Sequence, residues 1–386
     1  MVTIMSKKSR KEYLISIKKR YESSSKLEKK SILDEFCKSC DYNRKYAIRI
    51  LNNTENQKSD QTYIRKKKYD NEELKDYILK TWKSSNLPCG KRLKPIIKIW
   101  LPKYLESGER LTSENIKLLM EISAATIDRI IKPLRHRYKK RGLSTTKPGS
   151  ILKELIPIRT NQWDETRLGF IEADTVAHCG NSIAGMFVYS VNMVDIATGW
   201  SIQRAMWGKG EHGVLEALKT IECTLPFKIR GFDSDNGNEF LNWPILKYFK
   251  HRKFPVAYTR SRAYHKNDNA HIEGKNWTLI RQYLGYERFE NPQLVKLLNE
   301  FYMNEFYYFI NFFLPSSKLF EKKRIGSKIL KKYDKPQTPL ERLLNSEEIN
   351  KDVKEVLRIQ FKQLNPYKLE KQIQEKLRKI FALIRN

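Results

Sequence analysis

Two pairs of acids constrain this chain more than any other feature. Glu172 and Asp174 lie in the run Gly169-Phe170-Ile171-Glu172-Ala173-Asp174-Thr175, and Asp233 and Asp235 in Ile229-Arg230-Gly231-Phe232-Asp233-Ser234-Asp235. Both runs read as strands, and at spacing two the members of each pair share one face. Carboxylates on a mostly buried sheet are costly unless solvated, paired or bound to a metal. The fold must therefore bring that face to an opening, which in α/β sheets lies at the carboxyl ends of the strands. That criterion selects Asp174 and Asp235. Glu172, Asp233 and the further acid Asp195 read as structural or supporting groups.

The neighbouring segments say what kind of sheet this is. Residues 186–196 and 199–207 read as two more strands of an antiparallel meander, followed by a helix over 211–225. The strand ending at Asp235 runs into an Asn236-Gly237 turn, then a helix over 240–251 and a strand over 255–259. Strands in series and then alternating with helices predict an α/β fold, a mixed sheet flanked by helices. Next comes a polar approach, Arg260 to Asn276, into a helix with Leu279, Ile280, Tyr283 and Leu284 at apolar positions and Trp277 read as core. Glu273 stands at its start. Asp174, Asp235 and Glu273 are hard oxygen donors suited to Mg²⁺ or Mn²⁺. Two such ions could activate a water or a 3′-hydroxyl and stabilise the leaving oxygen of a phosphoryl transfer. Judged by residue type alone, three scattered acids fit a structural or surface role as well.

The front half points to a polyanionic partner. The 386 residues include 75 Lys+Arg against 44 Asp+Glu, a formal net charge of +31. Each cation set against a phosphate releases condensed counterions, so such a balance favours nucleic acid. Residues 1–22 read as a mobile arm or frayed helix. Two short helices then meet at a tight turn, the second carrying Arg44 and Lys45 on its outer face, as in a helix-turn-helix. A better unit lies around the turn Ile122-Ser123: Ile127, Ile130 and Ile131 face inward, leaving Thr126, Arg129 and Lys132 to reach a groove. The domains expected are 1–60 and 61–142 (both helical), a linker over 143–162 rich in Ser, Thr, Pro and Gly, 163–316 with the sheet, and a basic region over 317–386.

Five scattered cysteines, at Cys37, Cys40, Cys89, Cys179 and Cys223, argue for a reducing compartment and no disulfide framework. No second Cys/His pair stands near Cys37 and Cys40 to complete a zinc site. The aromatic run over 301–315 is broken by Asn304, Glu305 and Asn311, too short and too polar to span a bilayer. No signal peptide is read at the basic N-terminus.

Three segments, Glu172-Ala173-Asp174-Thr175, Ser234-Asp235-Asn236-Gly237-Asn238-Glu239-Phe240 and Asn267 to Asn276 with Glu273, resemble the acidic motifs of retroviral-integrase-type DDE transposases, closest to those of bacterial insertion sequences. The resemblance spans roughly 169–315. It implies an RNase H-like catalytic core, with Asp174 bridging two divalent ions and Asp235 and Glu273 each holding one side. It also implies double-stranded DNA as partner, both element ends and target, a homo-oligomer on DNA, and a bacterial cytoplasmic, nucleoid-associated setting without a membrane. Glu273 follows Asp235 at slightly more than the usual retroviral spacing, which leaves Asp268 as a less favoured third acid, and the retroviral N-terminal zinc motif is absent. Arg262, Lys266, Lys275 and Arg281, beside the glutamate, are candidate contacts to DNA phosphates, or else members of a solvated helix face. Two rivals remain at this point: a DNA-binding regulator without catalysis, and a nuclease of the same fold that cleaves without joining.

Overall fold

The computed structural model describes residues 5–52, 68–135, 165–234, 237, 239–260, 270–325 and 328–385. It divides into two compact units, Met1–Lys68 and Tyr69–Asn386.

The first unit is three helices: α1 (Lys7–Ser23), α2 (Lys26–Cys40) and α3 (Arg44–Leu51). Of the two forms expected over 1–22, arm or frayed helix, the structure has the helix, capped over Lys7–Ser23. Ser6 caps it by accepting from Ser9 N, and Ile17 and Tyr21 are buried with Phe36, Cys40 and Leu51. Apolar residues spaced at four were enough to seat it. Asp41, at φ +56, turns the chain from α2 into α3.

The second unit opens with α4 (Glu72–Ser84), α5 (Gly90–Glu106), α6 (Ser113–Glu121) and α7 (Ala124–Arg135). Its sheet holds β1 (Phe170–Ala177), β2 (Val188–Asp195), β3 (Ser201–Trp207), β4 (Gly231–Ser234) and β5 (Ala257–Arg260), in the order β3-β2-β1-β4-β5. The first three are antiparallel, and β4 and β5 run parallel to β1. The mixed sheet flanked by helices is therefore present. Between strands lie α8 (Glu211–Thr224) and α9 (Trp243–Lys250). Phe232 of β4 packs on Phe249 of α9 and on Tyr258 of β5, so one sheet face is closed by aromatic rings.

The other face carries the acids, and a broken helix crosses it. α10 (Ala270–Lys275) passes through a π-helical stretch (Asn276–Arg281) into α11 (Gln282–Leu284). α12 (Gln293–Phe301) continues into two further π stretches that end at Phe313. This segment seals the exposed edge of β3. Asn299 accepts from Ala205 N (2.8 Å) and donates to Ala205 O (3.0 Å), and Asn311 does the same for Ser201 at 2.9 and 2.8 Å. Each carboxamide replaces a strand partner for one residue, satisfying backbone groups that an edge leaves unpaired.

The region over 317–386 holds more structure than its weak periodicity suggested. β6 (Leu319–Ile325) and β7 (Lys328–Tyr333) form a separate hairpin, followed by α13 (Pro339–Asn345), α14 (Lys351–Gln363) and α15 (Pro366–Arg385). The front helices, the sheet and these last helices share one apolar core. Trp100 of α5 donates its indole N–H to Phe313 O (3.2 Å) and meets Phe309 and Tyr367 edge-on, and Thr81 hydrogen-bonds the Tyr367 hydroxyl. Apolar positions on α5 and α15 thus find each other within the described part of the second unit. The basic segment that follows Arg135 in the sequence, residues 136–141, and the linker expected over 143–162 lie outside the described residues. No helix among the described residues is long and apolar enough to cross a membrane.

Trp100 is fully buried, and Trp100→Ala is expected to cost about 3–5 kcal/mol. Urea unfolding followed by far-UV circular dichroism should show the whole second unit shifting together. A sheet transition left in place while the helices melt would contradict the shared core.

Candidate active site

β1 places its two acids differently. Glu172 is buried and Asp174 half-buried, with Asn192 of β2 opposite Asp174 and Gln203 of β3 opposite Asn192 in the sheet register. A chain of amides runs along that row. Gln203 donates to Asn192 Oδ1 at 2.9 Å, Asn192 to Asn276 Oδ1 at 2.7 Å, and Asn276 to Asp174 Oδ2 at 2.6 Å. The other carboxylate oxygen accepts from Thr175 N at 2.7 Å. Asn276 stands where the α10 helix passes into its π stretch, three positions after Glu273. The helix bearing Glu273 is thus tied directly to Asp174.

Glu172 fixes the same helix at its start. Its Oε2 accepts from Ile272 N (3.0 Å), supplying from a strand what an N-cap side chain normally supplies. In the next strand Asp233 stands beside Glu172 in register, and Thr259 of β5 beside Asp233, donating its hydroxyl to Asp233 Oδ1 at 2.5 Å. Asp195 accepts from Gly169 N, Thr198 N and Thr198 Oγ1 at the β2–β3 turn. The supporting acids therefore hold backbone and hydroxyl groups, while Asp174 is the more exposed member of its pair.

Asp235 and the side chain of Glu273 lie outside the described residues, as do Asp268, Arg262 and Lys266. What surrounds them is defined. Ser234 ends β4 opposite Ala173, the residue before Asp174, and Asp235 follows it in the chain. Beyond, Glu239 accepts from Thr175 Oγ1 (2.9 Å) and pairs with Lys209 (2.8 Å), and Tyr258 donates to Phe240 O, so both ends of that turn are anchored. Among the described residues no cluster of three His, Cys, Asp or Glu could hold a metal. The donor available there is the Asp174 carboxylate, a hard oxygen oriented by neutral amides, which suits Mg²⁺ or Mn²⁺.

The other candidates divide. Lys275 turns its amine onto Gly199 O (3.2 Å), where burial and the charges of Arg92 and Arg342 lower its pKa to about 7. Arg281 donates to Ala177 O (2.8 Å) and lies over the Tyr286 ring. Trp277, expected in the core, is 37% exposed. The switch to π geometry at Asn276 rotates it off the apolar stripe that a regular helix would give. Arg44 and Lys45 are exposed at the start of α3, Arg44 bonded to Asp34; Arg129 and Lys132 are exposed on α7, and Thr126 is half-buried near Ser123 Oγ. Sequence reasoning missed Asn192, Gln203 and Asn276. Polar residues at inward-facing strand positions, and an amide one helical turn past the glutamate, were the available signal.

No family model matches the chain. The uncharacterized protein y4rM of Sinorhizobium fredii (strain NBRC 101917 / NGR234) is 35% identical over 348 residues, which is 89% of this chain and 97% of that protein. The chain belongs to the family of y4rM. Among solved structures, the crystal structure of the catalytic core domain of BIV integrase in crystal form I is similar over 46% of this chain and 95% of that chain, with a TM-score of 0.29 and 16% identity. That overlap is too loose to build on. The site is therefore argued from its own geometry.

Two tests follow from that geometry. Asn276→Ala removes the donor to Asp174 and strands the Asn192 amide; it is expected to cost about 1–3 kcal/mol by chemical denaturation. The second concerns His178, which lies buried against Phe289 with Nε2 at 2.8 Å from Ser190 Oγ, its pKa lowered by burial from 6.5 to about 3. A lowered histidine pKa means that the unfolded chain binds a proton the folded one refuses. Stability from this group is full above pH 6.5 and is lost as pH falls toward 3, by at most about 1.4 kcal/mol per pH unit. Asp195, raised by burial from 3.8 to about 6, acts oppositely: its contribution is full below 3.8 and is lost as pH rises through 6. The expected result is that His178→Phe gains stability relative to the parent as pH drops from 6.5 to 4. Parallel pH profiles would contradict it.

Proposed function

We propose that this protein is a DNA transposase that binds the terminal inverted repeats of a mobile element, cuts their 3′ ends and joins them to target DNA. The observation that carries the reading is the amide row that locks Asp174 to the helix of Glu273, beside the strand from which Asp235 follows. The described parts of the three motifs lie on β1, at the end of β4 and on α10, and this supports an RNase H-like reading of the mixed sheet. Asp174, Asp235 and Glu273 would hold two Mg²⁺ or Mn²⁺ ions, which supply charge neutralisation at the reacting phosphate.

The chemistry asked of the site is two in-line displacements. In the first, a water oxygen bonds to phosphorus while giving up a proton to solvent, the P–O bond to the element's 3′ oxygen breaks, and that oxygen takes up a proton from solvent. In the second, the freed 3′-hydroxyl bonds to a target phosphorus and displaces that strand's own 3′ oxygen. One phosphodiester is exchanged for another, so joining needs no energy-carrying cofactor. The residues named serve position: Glu172 fixes the start of the helix, Asn276 the carboxylate, and Thr175 N its second oxygen.

For end recognition, the helix pairs α2–α3 and α6–α7 are the proposed helix-turn-helix units, with Arg44 and Lys45 on one and Thr126, Arg129 and Lys132 on the other reaching DNA. Arg262 and Lys266 would contact phosphate near the active site. Two ends must be joined together, so a homo-oligomer on DNA belongs to this reading.

Strand transfer with an oligonucleotide of the element's terminal repeat, in Mg²⁺, tests it. Asp174→Asn and Glu273→Gln should each lower joining at least about 10²-fold while the protein still binds the repeat. Undiminished joining would sink the proposal, and cleavage without joined products would favour a nuclease.

A further inference from the structure

Three cations converge at the turn between β2 and β3, and only one has an acid. Lys275 Nζ donates to Gly199 O at 3.2 Å. A Cβ on Gly199 would stand 3.8 Å from that Nζ and 3.7 Å from Ser316 Oγ, both ordinary contacts, so there is room for an atom between amine and hydroxyl. Arg342 reaches the same serine, Nη1 at 3.4 Å from Oγ and Nη2 at 2.6 Å from its carbonyl. Arg92 Nε donates to the carbonyl of Pro315, one residue before, at 2.9 Å. Arg342 is paired with Asp334 at 2.8 Å. Among the described residues, the partners of Lys275 and Arg92 are backbone carbonyls alone.

Such a cluster is poorly balanced by itself. Carbonyl dipoles return only part of a unit charge, and the cations repel one another in a half-buried place where water screens them little. Both Lys275 and Arg92 are only partly exposed, so solvent does little to offset this repulsion. An oxygen-rich anion would reverse the balance, since ammonium, guanidinium and hydroxyl donors would all find acceptors on it. The surroundings specify which anion. The chain carries net +31, and the hairpin that starts at Leu319 exposes Lys323, Lys331 and Lys332, the last paired with Glu321. A long polyanion, rather than a free metabolite, matches that extended charge.

We propose that Arg92, Lys275, Ser316 and Arg342 form a phosphate-binding site that takes one backbone phosphate of a DNA strand. Its DNA assignment rests on the function proposed above; its affinity for a phosphate group does not. Lys275 lies two residues past Glu273 on the same helix and reaches the β2–β3 turn, so a phosphate held there anchors DNA at a point apart from the proposed reacting centre.

The test uses the full-length protein, with chelator present so that no cleavage contributes. Thermal unfolding in low-millimolar inorganic phosphate should raise Tm of the parent and of Lys275→Arg, and leave Lys275→Met and Arg92→Met unmoved. In phosphate-free buffer Lys275→Met should be no less stable than the parent, because it removes an uncompensated charge, and this separates lost binding from misfolding. With duplex DNA, fluorescence anisotropy across a salt series should give a log–log slope shallower by about 1 for Lys275→Met. Asp174→Asn should keep the parent slope, so a failed catalytic reading and a failed phosphate site give different results. The proposal is overturned if Lys275→Met and Arg92→Met respond to phosphate as the parent does. It is equally overturned if the DNA slope of Lys275→Met is unchanged.

Discussion

Asp174 is positioned by carboxamides. A lysine or arginine could orient this carboxylate too, but it would neutralise the charge. Amides orient without neutralising. Gln203, Asn192 and Asn276 each donate to the next and leave the last N–H for Asp174. The row spans three strands and the crossing helix, so the acid's position depends on the register of the whole sheet. A slip of one residue in β2 would turn Asn192 to the other face and break the row at its centre. Carboxamides also do not titrate, so this support keeps its shape across the working pH range and leaves the acids as the groups that respond.

The buried acids complete that arrangement. Glu172 and Asp233 sit side by side in parallel strands under a helix, where ionised groups are expensive. Glu172 takes a helix N–H and Asp233 a threonine hydroxyl, and each bond positions an element carrying part of the site. Asp195 serves the β2–β3 turn in the same way. Ordering by burial separates these from Asp174, the half-exposed member of its pair.

Most of the sheet was readable in the residues because alternation of apolar and polar positions is a local signal. The strands fall within a few residues of their expected spans, and the selection of Asp174 over Glu172 follows from strand direction alone. Long-range pairings were not readable. Nothing local in Asn299 or Asn311 says that it will meet Ala205 or Ser201, and Asn311 served at first only to exclude a membrane span. The fusion of front helices, sheet and last helices into one core was hidden for the same reason: Trp100 and Tyr367 are ordinary apolar positions until the chain folds back. Trp277 was misjudged because the π turn at Asn276 breaks the period on which the assignment relied.

The two asparagines that cover the β3 edge, Asn299 and Asn311, have a consequence for how copies of the chain can meet. An open sheet edge is a template that recruits the matching edge of another molecule, as a continuous ribbon or a fibre. Here backbone groups of Ser201 and Ala205 are occupied by side chains of the same molecule. Copies of the chain are thereby kept from zipping their sheets together along that edge, and any association is left to other, reversible surfaces.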